Sequence, residues 1–161
     1  MEHDYSLNEL SMMTGFSTRT LRNYLSSGLL EGEKREGVWR FSAEALSRFF
    51  GEPFIKEGLR IKGRAMVFDF LGDSGKETDR ACVILDLPAS STESGSISAF
   101  FCDRINRLEL SERAAPINFG FLYDHGLCRV ILSGDAAAVT AMAAEYYQSS
   151  SDAPKRGKES L

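Results

Sequence analysis

The stretch from Ser6 to Leu46, SLNELSMMTGFSTRTLRNYLSSGLLEGEKREGVWRFSAEAL, leaves the chain few ways to fold, because caps, stops and turns follow one another at fixed offsets. Ser6 and Glu9 make a capping-box pair, in which the hydroxyl accepts from an orphan N–H and the carboxylate reaches back. A first helix then runs from about Leu7 to Thr14, with Leu7, Leu10 and Met13 as its apolar face, and Gly15 stops it in a left-handed cap. Ser17 caps a second helix over 18–26, where Leu21 and Leu25 face inward with Tyr24 alongside. Ser26, Ser27 and Gly28 close that helix, and Leu29 and Leu30 return to the core. Glu33 to Phe41 reads as a hairpin turning at Glu36-Gly37, and Ser42 caps a third helix from Ala43 to Phe50 with Ala45, Leu46 and Phe49 inside.

That order, helix, tight turn, helix, basic hairpin, helix, suits the major groove of DNA. The outward side of the second helix carries Arg19, Thr20, Arg22 and Asn23. Arginine makes paired hydrogen bonds to guanine edges and asparagine to adenine, while Thr and Tyr hydroxyls more often hold phosphates. Ser17 and Thr18 sit at the helix N-terminus, which favours an anion. In the hairpin, Arg35 and Arg40 flank Trp39, as a wing lying over the backbone requires. Taken singly, each arginine reads as an ordinary surface residue; the ordered set points to DNA. The net charge of −4 opposes this only on average. Residues 1–63 carry nine basic and nine acidic residues, so the acidity lies in the remainder.

The same residues resemble the winged helix-turn-helix of the MerR family. That motif has a tyrosine-led first helix, a TGxSxRTLRxYxxxGLL segment, and a basic wing ending in glycine, aromatic, arginine, aromatic; here it reads TGFSTRTLRNYLSSGLL and then REGVWRFSAEAL. The resemblance places the family's helix arginines on Arg19 and Arg22, its phosphate-contacting tyrosine on Tyr24 and its wing arginine on Arg40. Trp39 and Phe41 take the aromatic positions, and Arg35 the basic residue at the front of the wing. It implies a double-stranded DNA partner and a transcriptional role. Asn23 stands where an aromatic is common, Leu25 where an acid is, and no proline follows GLL. No long coiled-coil helix is expected after the third helix, which removes the family's dimer-forming element and its operator-distorting mechanism. The cysteines of the metal-sensing members are missing, so neither metal nor cofactor is expected.

The second part is less explicit. Glu52-Pro53 ends the third helix or starts a short turn. Residues 59–70, LRIKGRAMVFDF, alternate as a strand, as do 81–87; residues 97–110 repeat at helical spacing through Ile97, Phe100, Phe101, Ile105 and Leu108. Two strands, 117–123 and 127–132, flank an Asp124-His125-Gly126 turn, and Asp135 caps a last helix over 136–147. The fold expected is α+β: a winged helix-turn-helix over 1–57, then an α+β domain over 58–148, strand-strand-helix twice, with one antiparallel sheet and two helices on one face. A disordered polar tail follows over 149–161. Strand 81–87 is apolar on both faces, so a second subunit is expected to cover the side the helices leave open. One reading module recognises too few base pairs alone, and dimerisation is assigned to this domain.

Phe68, Phe70, Phe100, Phe101, Phe119, Phe121 and Tyr123 are candidates for lining a pocket for a small-molecule effector, against an ordinary aromatic core as the plainer reading. A protein effector is the other option. Cys82, Cys102 and Cys128 read as small buried hydrophobes in a reducing compartment. No run is long enough to span a membrane and no signal peptide is read, so a cytoplasmic protein is expected. GDSGKE lacks the phosphate-loop spacing, and Ser90, Ser91 and Ser94 have no base at a recognisable spacing; no enzyme is expected. The expectation is therefore a dimeric sequence-specific transcriptional regulator. The alternatives are an excisionase-like architectural accessory factor and a protein-interaction adaptor.

Overall fold

The computed structural model describes residues 4–109 and 116–151. Strand β1, Tyr5–Ser6, leads into helix α1, Leu7–Thr14. The capping box forms: Ser6 Oγ accepts from Glu9 N at 3.1 Å, and Ser6 N donates to the Glu9 carboxylate at 3.1 Å. Gly15 caps α1 at φ 71°. Helix α2, Thr18–Ser27, is capped by Ser17 and closed by Gly28 at φ 81°. Strands β2, Glu33–Arg35, and β3, Val38–Phe41, form the hairpin, and Glu36 and Gly37 both take positive φ, as a type I′ turn demands. Helix α3 is Ala43–Gly51, capped by Ser42. β1 pairs with β3, Tyr5 opposite Phe41, so the small sheet runs β1-β3-β2.

Residues 59–70 are not a strand. They lie within helix α4, Pro53–Gly72, and Pro53 starts it at the position where a missing N–H costs nothing. A long helix therefore does follow α3, contrary to the sequence reading. The cause lies in two apolar faces on one helix. Ile55 and Leu59 are buried on one side, with Met66, Val67 and Phe70 half-buried, while Phe54, Ile61, Phe68 and Leu71 point into solvent. Apolar residues on both sides blur the 3.6-residue period until it mimics alternation.

Strand β4, Arg80–Pro88, helix α5, Ser91–Glu109, strands β5, Asn118–Asp124, and β6, Leu127–Asp135, and helix α6, Ala136–Ser151, complete the fold. The second sheet is antiparallel in the order β4-β6-β5. The architecture after α3 is thus helix, strand, helix, strand, strand, helix, an α+β arrangement without the expected twofold repeat. α6 continues to Ser151, into the segment expected to be a tail, and residues 152–161 lie outside those described.

Register assigns the two faces of this sheet. Val83, Leu132 and Phe119 stand in one cross-strand row, and Ile84, Ile131 and Gly120 in the neighbouring row on the other face. On the first face Phe101 of α5 packs against Phe119 and Tyr146 of α6, with ring centres 6.2 and 5.4 Å apart. α4 lies on the second face, over β5 and β6. Two glycines allow its close approach: a Cβ on Gly63 would meet Ile131 Cδ1 at 3.1 Å, and one on Gly120 would meet Met66 Sδ at 2.9 Å. The outer face of β4 stays open; none of its residues is buried and Ile84 is 48% exposed. Among the described residues, nothing of the chain itself therefore supplies the covering expected on the second side of this strand.

The core is continuous from the first helices to the last. Phe50 of α3 packs on Phe121 of β5 at 6.0 Å, and the Tyr5 hydroxyl donates to the Gly95 carbonyl at 2.8 Å and touches Ser98 Oγ at 2.9 Å. α4 is fastened at two further points. Lys62 Nζ donates to the Gly15 carbonyl at 3.0 Å, and Lys56 Nζ donates to Asp124 at 2.8 Å with Arg60 on the other carboxylate oxygen.

This last cluster sets an acid dependence. The hydrogen bond from Lys56, aided by the charges of His125, Lys56 and Arg60, holds the Asp124 carboxyl below the ordinary carboxylate range. A depressed folded pKa contributes stability above the unfolded value, about 3.9, and that contribution disappears as pH falls through the folded value. Asp86, held low by Arg129, acts in the same direction. In Asp124→Asn, stability will decline less steeply between about pH 4 and about pH 2 than in the parent. Urea midpoints measured across that window check it, and parallel acid limbs for the two proteins would refute the role.

Candidate nucleic-acid interface

α2 presents its polar side as a strip. Arg19, Arg22 and Asn23 are exposed at helical spacing, opposite Leu21, which is fully buried. Thr20 lies on the flank, half-buried. Its N–H donates to Ser17 Oγ at 3.1 Å and the two hydroxyls stand 2.9 Å apart, so Ser17 and Thr20 are committed to capping. Thr18 is half-buried. Tyr24 leans inward against Phe16 and Phe49, with ring centres 5.9 and 5.8 Å away. α2 contains no acidic residue, so its outer face is purely cationic and amide.

The hairpin carries the second set. Glu33 stands opposite Arg40 and Lys34 opposite Trp39 in the register. Arg40 is exposed. Trp39 is half-buried, stacked toward Phe41 at 6.5 Å, with Lys34 Nζ 5.5 Å from its ring centre. Arg35 is held otherwise: its guanidinium donates to Asp4 at 2.7 Å and to Glu33 at 2.9 Å, and these carboxylates raise its pKa. Of the two flanking arginines, only Arg40 is free of such an ion pair among the described residues. Lys34, one of the basic residues concentrated in this module but given no contact role by the motif, is a second unpaired cation of the hairpin among the described residues, directly across from Trp39.

The aromatic residues proposed to line a pocket fall in four places. Phe100, Phe101 and Phe119 form an interior stack with Tyr146. Phe68 and Phe121 border a groove of about 490 Å³ between α4 and the outer sheet face, which also includes Arg64, Ile84, Arg129 and Ile131. Phe121 and Tyr123 border a cleft of about 900 Å³ between α3, β5 and the start of α5. Phe70 lies at the end of α4 under Lys76 Nζ, 4.5 Å from its ring centre. Neither of these two cavities, formed by the described residues, gathers them all.

Cys102 and Cys128 are fully buried, and burial raises both thiols, Cys128 to about 12, so neither ionises at neutral pH. Among the described residues no group of three or more His, Cys, Asp or Glu is placed to hold a metal ion, and no helix is long and apolar enough to cross a membrane.

No curated protein and no solved structure matches the chain. One family model does, and its span coincides with the module built from β1 to α3: residues 5–50 are a match to the MerR HTH family regulatory protein, a family of regulators and not of enzymes.

Proposed function

We propose that the protein is a sequence-specific DNA-binding regulator acting as a homodimer. The observation that carries the DNA reading is the exposed Arg19, Arg22 and Asn23 strip of α2 within a segment matching the MerR regulators. In this reading α2 enters the major groove. Arg19, Arg22 and Asn23 meet base edges, while Ser17, Thr18 and Thr20 shape the N-terminus that faces a phosphate. Tyr24, Trp39, Lys34 and Arg40 hold the backbone, and Arg35 fixes the shape of the wing through Asp4 and Glu33.

The homodimer is assigned to α4. Phe54, Ile61 and Phe68 recur every seven residues, 72, 57 and 69% exposed, with Leu71 beside them at 71%. A second α4 laid antiparallel about Ile61 puts Phe54 against Phe68 of the partner copy and Glu57 beside that copy's Arg64, so both shape and charge are self-complementary. Burying eight such side chains in a dimer contributes on the order of 10 kcal/mol. That is comparable with the about 4–15 kcal/mol cost of association, so the dimer is expected to be concentration-dependent and reinforced by DNA. The groove between α4 and the sheet is where a small-molecule effector would act.

The test is a binding series on matched and scrambled sites. Arg19→Ala will cost about 1–3 kcal/mol on its own site and relax the preference at one base position. Arg40→Ala will weaken all sequences alike and lower the salt slope by about one. Equal losses on both kinds of site for Arg19→Ala would end the base-reading role. Protection of clustered direct repeats in place of one inverted repeat would favour an architectural accessory factor.

A further inference from the structure

The free edge of β4 is a candidate surface of a different kind. β4 pairs with β6 through nine consecutive residues, Arg80 opposite Asp135 to Pro88 opposite Leu127, without a bulge. Its other side has no strand, helix or ion-paired loop bonded to it among the described residues. Alternate N–H and C=O groups along that side therefore lack protein partners. Natural sheets guard such edges with lysine, proline, a bulge or brevity. β4 has none of these in its middle: the run ACVILDL is apolar but for Asp86, and Pro88 stands only at its end. The outer face beside it is likewise open, with Ile84 48% exposed.

We infer that this edge pairs with the β4 of a second copy, antiparallel about a twofold axis at Ile84, joining two three-stranded sheets into one of six strands. The sequence of β4 selects a copy of itself over an unrelated peptide. With Ile84 on the axis, all nine residues pair. Val83 then faces Leu85 of the other copy, and Ala81 faces Leu87, two apolar rows continuing the side covered by α5 and α6. On the outer side Cys82 faces Asp86, and Arg80 lies diagonal to Asp86 of the other copy, an opposite-charge neighbour within reach. Asp86 meanwhile keeps its two hydrogen bonds from Arg129 at 2.7 and 2.9 Å, so no carboxylate is left unpaired. No like charges meet. The Ile84 and Ile131 side chains of both copies form one apolar band across the joined sheet.

This surface is separate from the outward stripe of α4, and it stands whether or not α4 forms a dimer. A chain with two self-complementary surfaces assembles beyond a dimer, as a closed tetramer or an open row.

Sedimentation equilibrium of the full chain, with Ile84→Lys and with Ile61→Glu/Phe68→Glu, tests it. Ile84 is half-exposed, so lysine there is compatible with folding, and circular dichroism checks this. The expected result is that Ile84→Lys lowers the assembly mass of the parent protein to half or less. An Ile84→Lys protein with the parent's mass overturns the inference. Should Ile61→Glu/Phe68→Glu leave the mass unchanged while Ile84→Lys reduces it to that of a monomer, the α4 dimer fails and the β4 pairing stands. Ile84→Cys in a Cys82→Ser background supplies an independent readout. Antiparallel partners on the axis bring Cα atoms within disulfide range, so oxidation will link most chains in pairs. Cross-linking no faster than at an exposed control, Ser90→Cys, also overturns it.

Discussion

Introducing glutamate at both Ile61 and Phe68 will convert the protein to a form that no longer dimerises through α4, and specific DNA affinity will fall by about 100-fold or more. The two residues are 57 and 69% exposed in the single chain, so the charges cost the monomer little. In an antiparallel α4 pair Ile61 would meet its own copy and Phe68 would meet Phe54. Each substitution would thus bury a carboxylate against an apolar partner, which a modest interface cannot compensate. The loss of DNA affinity follows from linkage. A dimer binds its second half-site at an effective concentration in the millimolar range, and separation of the two modules removes that factor of about 10²–10⁴. Gel shifts on a two-half-site operator and on a single half-site distinguish the causes. Loss confined to the double site is expected; equal loss on both would mean damage to the reading module itself.

Replacing Phe101 with alanine will lower stability by about 3–5 kcal/mol, and the DNA-binding module will unfold with the rest. Phe101 is fully buried, against Phe119 of β5 and Tyr146 of α6, and the phenyl leaves a cavity that these rings cannot close. α5, which carries it, also receives the Tyr5 hydroxyl at Gly95, and Phe50 of α3 packs on the neighbouring Phe121. The first helices therefore share their interior with the sheet. Tryptophan fluorescence reports on Trp39 in the hairpin, and circular dichroism on the whole chain. Coincident melting by both probes, displaced downward by about 10 °C, is the expected outcome for a chain of this size. A Trp39 transition that stays at the parent's temperature would show the module to be independent.

The boundaries that local chemistry controls were legible. The capping box at Ser6 and Glu9, the stops at Gly15 and Gly28, the caps at Ser17 and Ser42 and the turn at Glu36-Gly37 all fall where the residues put them. Each depends on neighbours a few positions away. α4 was not legible for the opposite reason. Gly63 belongs there because Ile131, far along the chain, lies 3.1 Å from where a Cβ would be, and a glycine inside a helix argues locally against helix. The aromatic set is divided by direction. Phe119, Phe121 and Tyr123 share one strand face, which turns toward α5 and α3, while Phe68 stands on α4 and shares its groove with Phe121 alone of the set. Side-chain type was readable, whereas the face each residue occupies came only from packing. Arg35 shows the same limit at the interface: its charge was visible, but its carboxylate partner Asp4 lies 31 positions earlier.

α4 is tied at Lys62 to the carbonyl of Gly15, the first residue of the turn between α1 and α2, and at Lys56 and Arg60 to the β5–β6 hairpin. It is thus a strut between α2 and the groove where Arg64 and Phe68 stand. A molecule that enters this groove by prising α4 from β5 must strain the Gly15 attachment, and with it the seat of α2. Reciprocity then fixes the response in the other direction: if such a molecule weakens the grip on DNA tenfold, DNA weakens the hold on that molecule tenfold. The operator itself would then help expel the ligand, and occupancy of the groove would report how much of the protein is bound to its site.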